Sequence, residues 1–114
     1  MKNITGEGYE ALYKNEENVV ILNGTLRLNG LSEYKGITDM LLGASDIDRD
    51  LIMDLRKLQF LNSSGIAMIS KFVLHARGKE NFNLTILGSN VISWQSKSLL
   101  NLQRLMPSLT LQFE

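Results

Sequence analysis

The chain reads as an α/β protein: a mixed, mainly parallel sheet covered by helices. Three observations lead there. Runs of apolar, often branched residues, such as 19–22 (VVIL) and 51–55 (LIMDL), have the length of strands. Between them, residues 34–41, 65–77 and 95–105 carry apolar side chains at helical spacing. The two kinds alternate along the chain, which is the order of a helix layer laid on a sheet.

Each element has a local reason. Residues 1–18 (MKNITGEGYEALYKNEEN) are a polar opening, with 9–14 as an edge strand. Asn15, Glu16, Glu17 and Asn18 cluster as a turn. Residues 19–22 then form a buried strand, Asn23-Gly24 gives the two-residue hairpin signal, and 25–28 alternate polar and apolar as a second strand. Ser32 is placed to cap the first helix, with Glu33 favourable at its positive end. Tyr34, Ile37 and Leu41 line one face of that helix, and Gly43 is placed to stop it. Residues 51–55 are a buried strand, 58–61 a short apolar extension and 65–77 a helix. The inner stripe of that helix is Ile66, Ile69, Val73 and Ala76 with Phe72 beside it, and Gly78 ends it. Residues 83–87 give another strand, closed by Gly88-Ser89-Asn90. A last helix over 95–105 puts Leu99, Leu102 and Met106 in register, Pro107 stops it, and 109–113 close the chain as a strand.

Composition narrows the function. At 114 residues the chain is expected to be one domain, 1–114, able to bury a core unaided. It is 44% hydrophobic and 21% charged, an ordinary globular balance. Twelve basic and twelve acidic residues cancel, without the basic excess of a nucleic-acid binder. No cysteine is present, which removes disulfides, thiolate catalysis and cysteine-held zinc. No leader-like apolar stretch opens the chain and no run of about 18 apolar residues occurs, so a cytoplasmic protein outside the membrane is expected.

Several chemical motifs fail on inspection. Asp46, Asp48 and Asp50 open like a calcium loop, but its glycine position is Leu51 and its glutamate position Lys57. Gly88 with Lys97-Ser98 lacks the spacing of a phosphate loop, and Ser96 stands where glycine should precede the lysine. His75, the sole histidine, lies twelve residues beyond Ser63, roughly 18 Å along one helix, too far to act as its base. No metal and no cofactor is called for. Trp94 sits among serines, either packed over the sheet edge with Ser96 capping the last helix, or as an interface anchor.

Asn62-Ser63-Ser64-Gly65, between the strand and the helix, is the stretch that asks for a function. A cap explains one polar residue. It explains neither the second hydroxyl nor a glycine in the first helical turn, where glycine costs nearly 1 kcal/mol against alanine. Small residues would leave this backbone open to close approach. The turn also offers unpaired N–H groups and the positive end of the dipole, a setting suited to a phosphorylated serine.

The block IMDLRKLQFLNSSGIAMISKFV, residues 52–73, resembles the centre of the STAS domain family, the anti-sigma-factor antagonists, where a strand reading DL leads into D-S-S-G and an apolar helix. Gly24-Thr25-Leu26 stands where that family commonly has G-E-L, and the whole is most similar to short, stand-alone bacterial STAS-like regulators. The resemblance implies a STAS-like fold and a partner-switching protein that binds and does not catalyse. Its partner would be an anti-sigma-like serine kinase with a histidine-kinase-like ATPase fold, bringing ATP, magnesium and the base. That kinase would phosphorylate Ser63, with Ser64 as the alternative acceptor, and a phosphatase would restore binding. Arg27, Ile66 and Trp94 are the candidate partner contacts. Two positions depart from the family pattern: Asn62 replaces its aspartate, and Arg27 stands where an acidic residue is common. A constitutive scaffold module with capping serines and a small serine hydrolase are the competing readings.

Overall fold

The computed structural model describes residues 2–114. Its organising strand is β3 (Val19–Leu26), in which Val20, Leu22 and Leu26 are fully buried while Val19 and Ile21 stay half-exposed on the opposite face. That alternation is the pleat of a sheet covered on one side. Strand β2 (Tyr9–Lys14) pairs antiparallel with β3, and β1 (Lys2–Gly6) pairs antiparallel outside β2. Residues 9–14 are therefore not the edge, because the polar stretch Lys2–Gly6 adds a strand beyond them.

The other half of the sheet is parallel. Strands β4 (Leu51–Asp54) and β5 (Leu58–Leu61) both run parallel to β3, β4 along Val19–Ile21 and β5 along Gly24–Leu26. Strand β6 (Leu84–Gly88) pairs parallel with β4, and β7 (Thr110–Phe113) with β6. The order is β1-β2-β3-β4-β6-β7, with β5 extending the β3 side. In register across the sheet, Leu22, Val20, Met53 and Ile86 point to one face and are completely buried there.

The helices cover that face. They are α1 (Gly30–Glu33), α2 (Lys35–Asp46), α3 (Ser63–Arg77) and α4 (Ser93–Leu105), with α3 packed between α2 and α4. Ile37, Met40 and Leu41 of α2, Met68, Ile69, Phe72 and Val73 of α3, and Leu99 and Leu102 of α4 close the core. The stripe of α3 is rotated from the expected one: Gly65 and Met68 are buried and Ile66 is only half-buried.

Several local expectations are corrected. Asn23-Gly24 is not a hairpin turn, since β3 runs straight through it with a register shift between Gly24 and Thr25. Thr25 and Leu26 finish β3, so residues 25–28 are no separate strand. Ser32 lies inside α1, whose N-cap position is Asn29. Gly43 does not stop the helix, because α2 continues to Asp46. Ser96 is likewise interior to α4, which starts after Ile92 without a side-chain cap.

Candidate functional site

The loop after β5 is built around one amide. Asn62 is the N-cap of α3 in extended conformation, and its Oδ1 accepts the Gly65 N–H at 3.0 Å. The same oxygen accepts the Tyr34 hydroxyl at 2.7 Å, while Nδ2 donates to the Leu28 carbonyl at 2.8 Å. A backbone donor on one side and a backbone acceptor on the other leave only one orientation for the amide. The Asn62 N–H also donates to the Leu26 carbonyl at 3.1 Å. The loop is thereby stitched to the end of β3 and to the α1–α2 junction.

Around this anchor the four residues divide in role. Ser64 is half-buried and its Oγ accepts the Gly30 N–H at 3.3 Å. Gly65 is buried, and a Cβ there would fall 2.7 Å from the Tyr34 Oη and still closer to Leu61. Its smallness thus serves packing from inside the protein. That corrects the expectation of a backbone left open to an outside molecule. Ser63 alone is exposed, at the first position of α3, where backbone N–H groups lack helical partners.

Tyr34 was not singled out from sequence as a site residue, yet it is the buried wall of this loop. Its burial pushes the phenol pKa up, against an opposing backbone hydrogen bond at Leu28 and with a smaller push from Tyr9. It therefore stays a proton donor to Asn62. Asp54 of the DL pair has a different task. Burial alone would raise its pKa, but three hydrogen bonds from Arg56 and the cationic neighbours Arg56 and Lys57 leave it lowered. It is a clamp on the β4–β5 turn.

Of the candidate contacts, Arg27 is brought to the loop. Leu26 pairs with Leu61 and its carbonyl accepts the Asn62 N–H, so the Arg27 backbone follows directly on the residue to which the loop is tied. The exposed Arg27 guanidinium sits over the Phe60 ring at 4.9 Å, a cation–π pair on the surface where β3 and β5 end. Ile66 is half-buried one turn into α3. Trp94 is elsewhere: its Nε1 donates to the Leu58 carbonyl at 3.2 Å, at the far end of β5, about 10 Å from Leu61 at strand rise. It is half-buried against the core, as the packing reading expects. Gln95, which sequence reasoning passed over, is completely buried beside it. Its Nε2 donates to the Leu55 and Leu58 carbonyls, and its Oε1 accepts the Ser89 N–H.

Other groups stay apart from the loop. His75 is exposed near the end of α3, and the helix is continuous from Ser63, so the two cannot pair. Asp46 bonds Lys79 and Asp50 caps Asn83, each a surface tie. Among the described residues no cluster of three or more metal-ligating side chains occurs, and no helix is long and apolar enough to cross a membrane.

Comparison with known proteins places this architecture. A chain of the crystal structure of the diguanylate cyclase SiaD in complex with its activator SiaC, from Pseudomonas aeruginosa, superposes with a TM-score of 0.74. The match covers 99% of this chain and 98% of that one at 15% identity. Apo-SiaC from the same organism gives the same TM-score, over 100% of this chain and 99% of its own, at 13% identity. The chain shares the fold of SiaC. At such identity the likeness concerns the fold alone, a STAS-like α/β arrangement. No protein-family model and no curated protein sequence matches the chain.

Proposed function

We propose that this protein is a STAS-like partner-switching regulator, a binding protein and not an enzyme, whose complex is controlled by phosphorylation of Ser63. The observation that carries the reading is the division of labour in the loop. Asn62, Ser64 and Gly65 are each used internally, whereas Ser63 is exposed on a helix start that they hold rigid. A kinase needs a hydroxyl it can reach, and a switch needs one whose charge lies at a contact surface. The fold supports the reading by analogy: SiaC is an activator bound to a diguanylate cyclase. The partner is an anti-sigma-like serine kinase with its own ATP, opposed by a phosphatase, and the output is a sigma factor or an enzyme.

Arg27 over Phe60 gives the surface where β3 and β5 end a cationic, flat-faced character. That suits a partner presenting an acidic residue. The experiment is intact-mass and peptide mass spectrometry on protein from its native cells, followed by partner capture with Ser63→Ala and Ser63→Asp. Phosphate on Ser63, tight capture by the alanine variant and at least tenfold weaker capture by the aspartate variant are expected. Absence of phosphate across growth conditions, with equal capture by both variants, would leave a constitutive module with capping serines.

A further inference from the structure

A groove of ≈ 430 Å³ runs along the flank of the helix layer, between α1–α2 and α3. Its floor is apolar: Met68 and Phe72 are each 2% exposed, with Leu42 half-buried beside them and Leu31 forming an exposed lip. Three basic side chains stand on the rim, Lys35, Lys71 and His75. Lys35 is answered in place by Asp39 at 2.7 Å. Lys71 and His75 lie one turn apart on the same face of α3, both exposed, and make no salt bridge among the described residues.

We propose that this groove binds an amphipathic monocarboxylate of the medium-chain fatty-acid class. The chain lies over Met68 and Phe72, and the carboxylate meets Lys71 and His75. The volume falls within the range of small-molecule sites, about 300–1,000 Å³, and so does the pattern of an apolar lining with a few convergent polar groups. Charge complementarity selects the headgroup. Two basic side chains at i and i+4 with no acid between them favour an anion, and a carboxylate offers one oxygen to each. A partner helix fits less well, since the buried floor offers only Met68 and Phe72, fewer than the i, i+3, i+4 and i+7 anchors a docked helix presents. The lip belongs to α1, whose Gly30 N–H holds the Ser64 Oγ, so a bound acid would touch the element that braces the serine loop.

The test is a ¹⁵N-NMR titration of the full chain with sodium decanoate below its micelle concentration, with decyltrimethylammonium as the charge-reversed control. Saturable shifts centred on Leu31, Leu42, Met68 and Phe72 are expected. Lys71→Glu should weaken binding tenfold or more. Thr38→Trp, which fills the groove from a half-buried helix position, should abolish saturation; Lys71→Glu is a surface change and keeps the test open if the tryptophan variant folds poorly. Equal binding of decyltrimethylammonium, or an affinity indifferent to Lys71→Glu, would reduce the groove to a greasy surface and overturn the proposal. So would a lack of saturation by decanoate while the same residues respond to phosphatidylglycerol vesicles or to an acidic amphipathic peptide.

Discussion

The Leu28 carbonyl is a local reason for residue 62 to be an asparagine and not an aspartate. An aspartate can accept from Gly65 and Tyr34 but has no hydrogen to give Leu28, and would set a carboxylate oxygen against the carbonyl now 2.8 Å from Nδ2. Asn62→Asp should therefore destabilise the protein by about 1–3 kcal/mol in urea unfolding at pH 7. A carboxylate at a helix start regains up to about 1 kcal/mol of that. The deficit should shrink as pH falls through the carboxyl's range near 4, where a protonated acid can donate to Leu28; a deficit that grows in acid would refute this account. Tyr34→Phe keeps the ring volume but removes the Asn62 bond, for a loss of about 1 kcal/mol. The phenol pKa is raised above 10.0 in the folded chain. The folded state then holds its proton more tightly than the unfolded state, so stability is complete below pH 10 and declines as pH rises through the folded value. A pH series of unfolding midpoints should show that alkaline decline weakened in Tyr34→Phe. At this scale the serine pair and its cap were legible because they are contiguous. Tyr34 was not, because its role depends on a partner 28 positions away.

At the scale of elements, the long periodic segments were read correctly and the punctuation was often misplaced. Gly24 shows why. A glycine after asparagine reports a positive φ, and Gly24 indeed has φ +90°, but the same dihedral serves a hairpin turn and a bulge within a strand. The choice is made by β5, whose Leu58–Leu61 pairs with the second half of β3, a long-range fact that no dipeptide carries. Gly24→Ala combines an unfavourable φ with a Cβ driven against the Gly8 carbonyl. The dihedral alone costs about 1–3 kcal/mol, and the collision adds to it. A drop in urea midpoint of that size is expected, and a neutral result would show that β3 has no bulge here. Strand β1 escaped notice for the opposite reason. Its residues are nearly all exposed and polar, and only pairing with β2 makes them a strand. Gly43 and Ser96 are helix-boundary residues by preference that the core keeps inside longer helices, whereas Ser32 sits in the four-residue α1, which buries no side chain.

The whole molecule decides how a phosphate on Ser63 can be read. A radius of gyration of 12.8 Å is close to the about 13 Å of a compact chain of this length, and α3 is wedged in its centre by Gly65, Met68, Ile69, Phe72, Val73 and Ala76. A helix held on that many buried side chains does not slide in response to one surface charge, so the proposed phosphate would act at the surface. The two serines should then differ sharply in stability. Ser63→Glu adds a negative charge at an exposed first helical position, which the dipole favours, and thermal unfolding should stay within about 0.5 kcal/mol of wild type. Ser64→Glu removes the acceptor of the Gly30 N–H and forces a longer charged chain into a half-buried place. It should lower stability by about 1–3 kcal/mol. Amide exchange along α3 is the second readout, and it should be unchanged in the first variant and faster at the helix start in the second. If Ser63→Glu loosens α3 as a whole, the switch is conformational and the rigid-scaffold account of this loop is wrong.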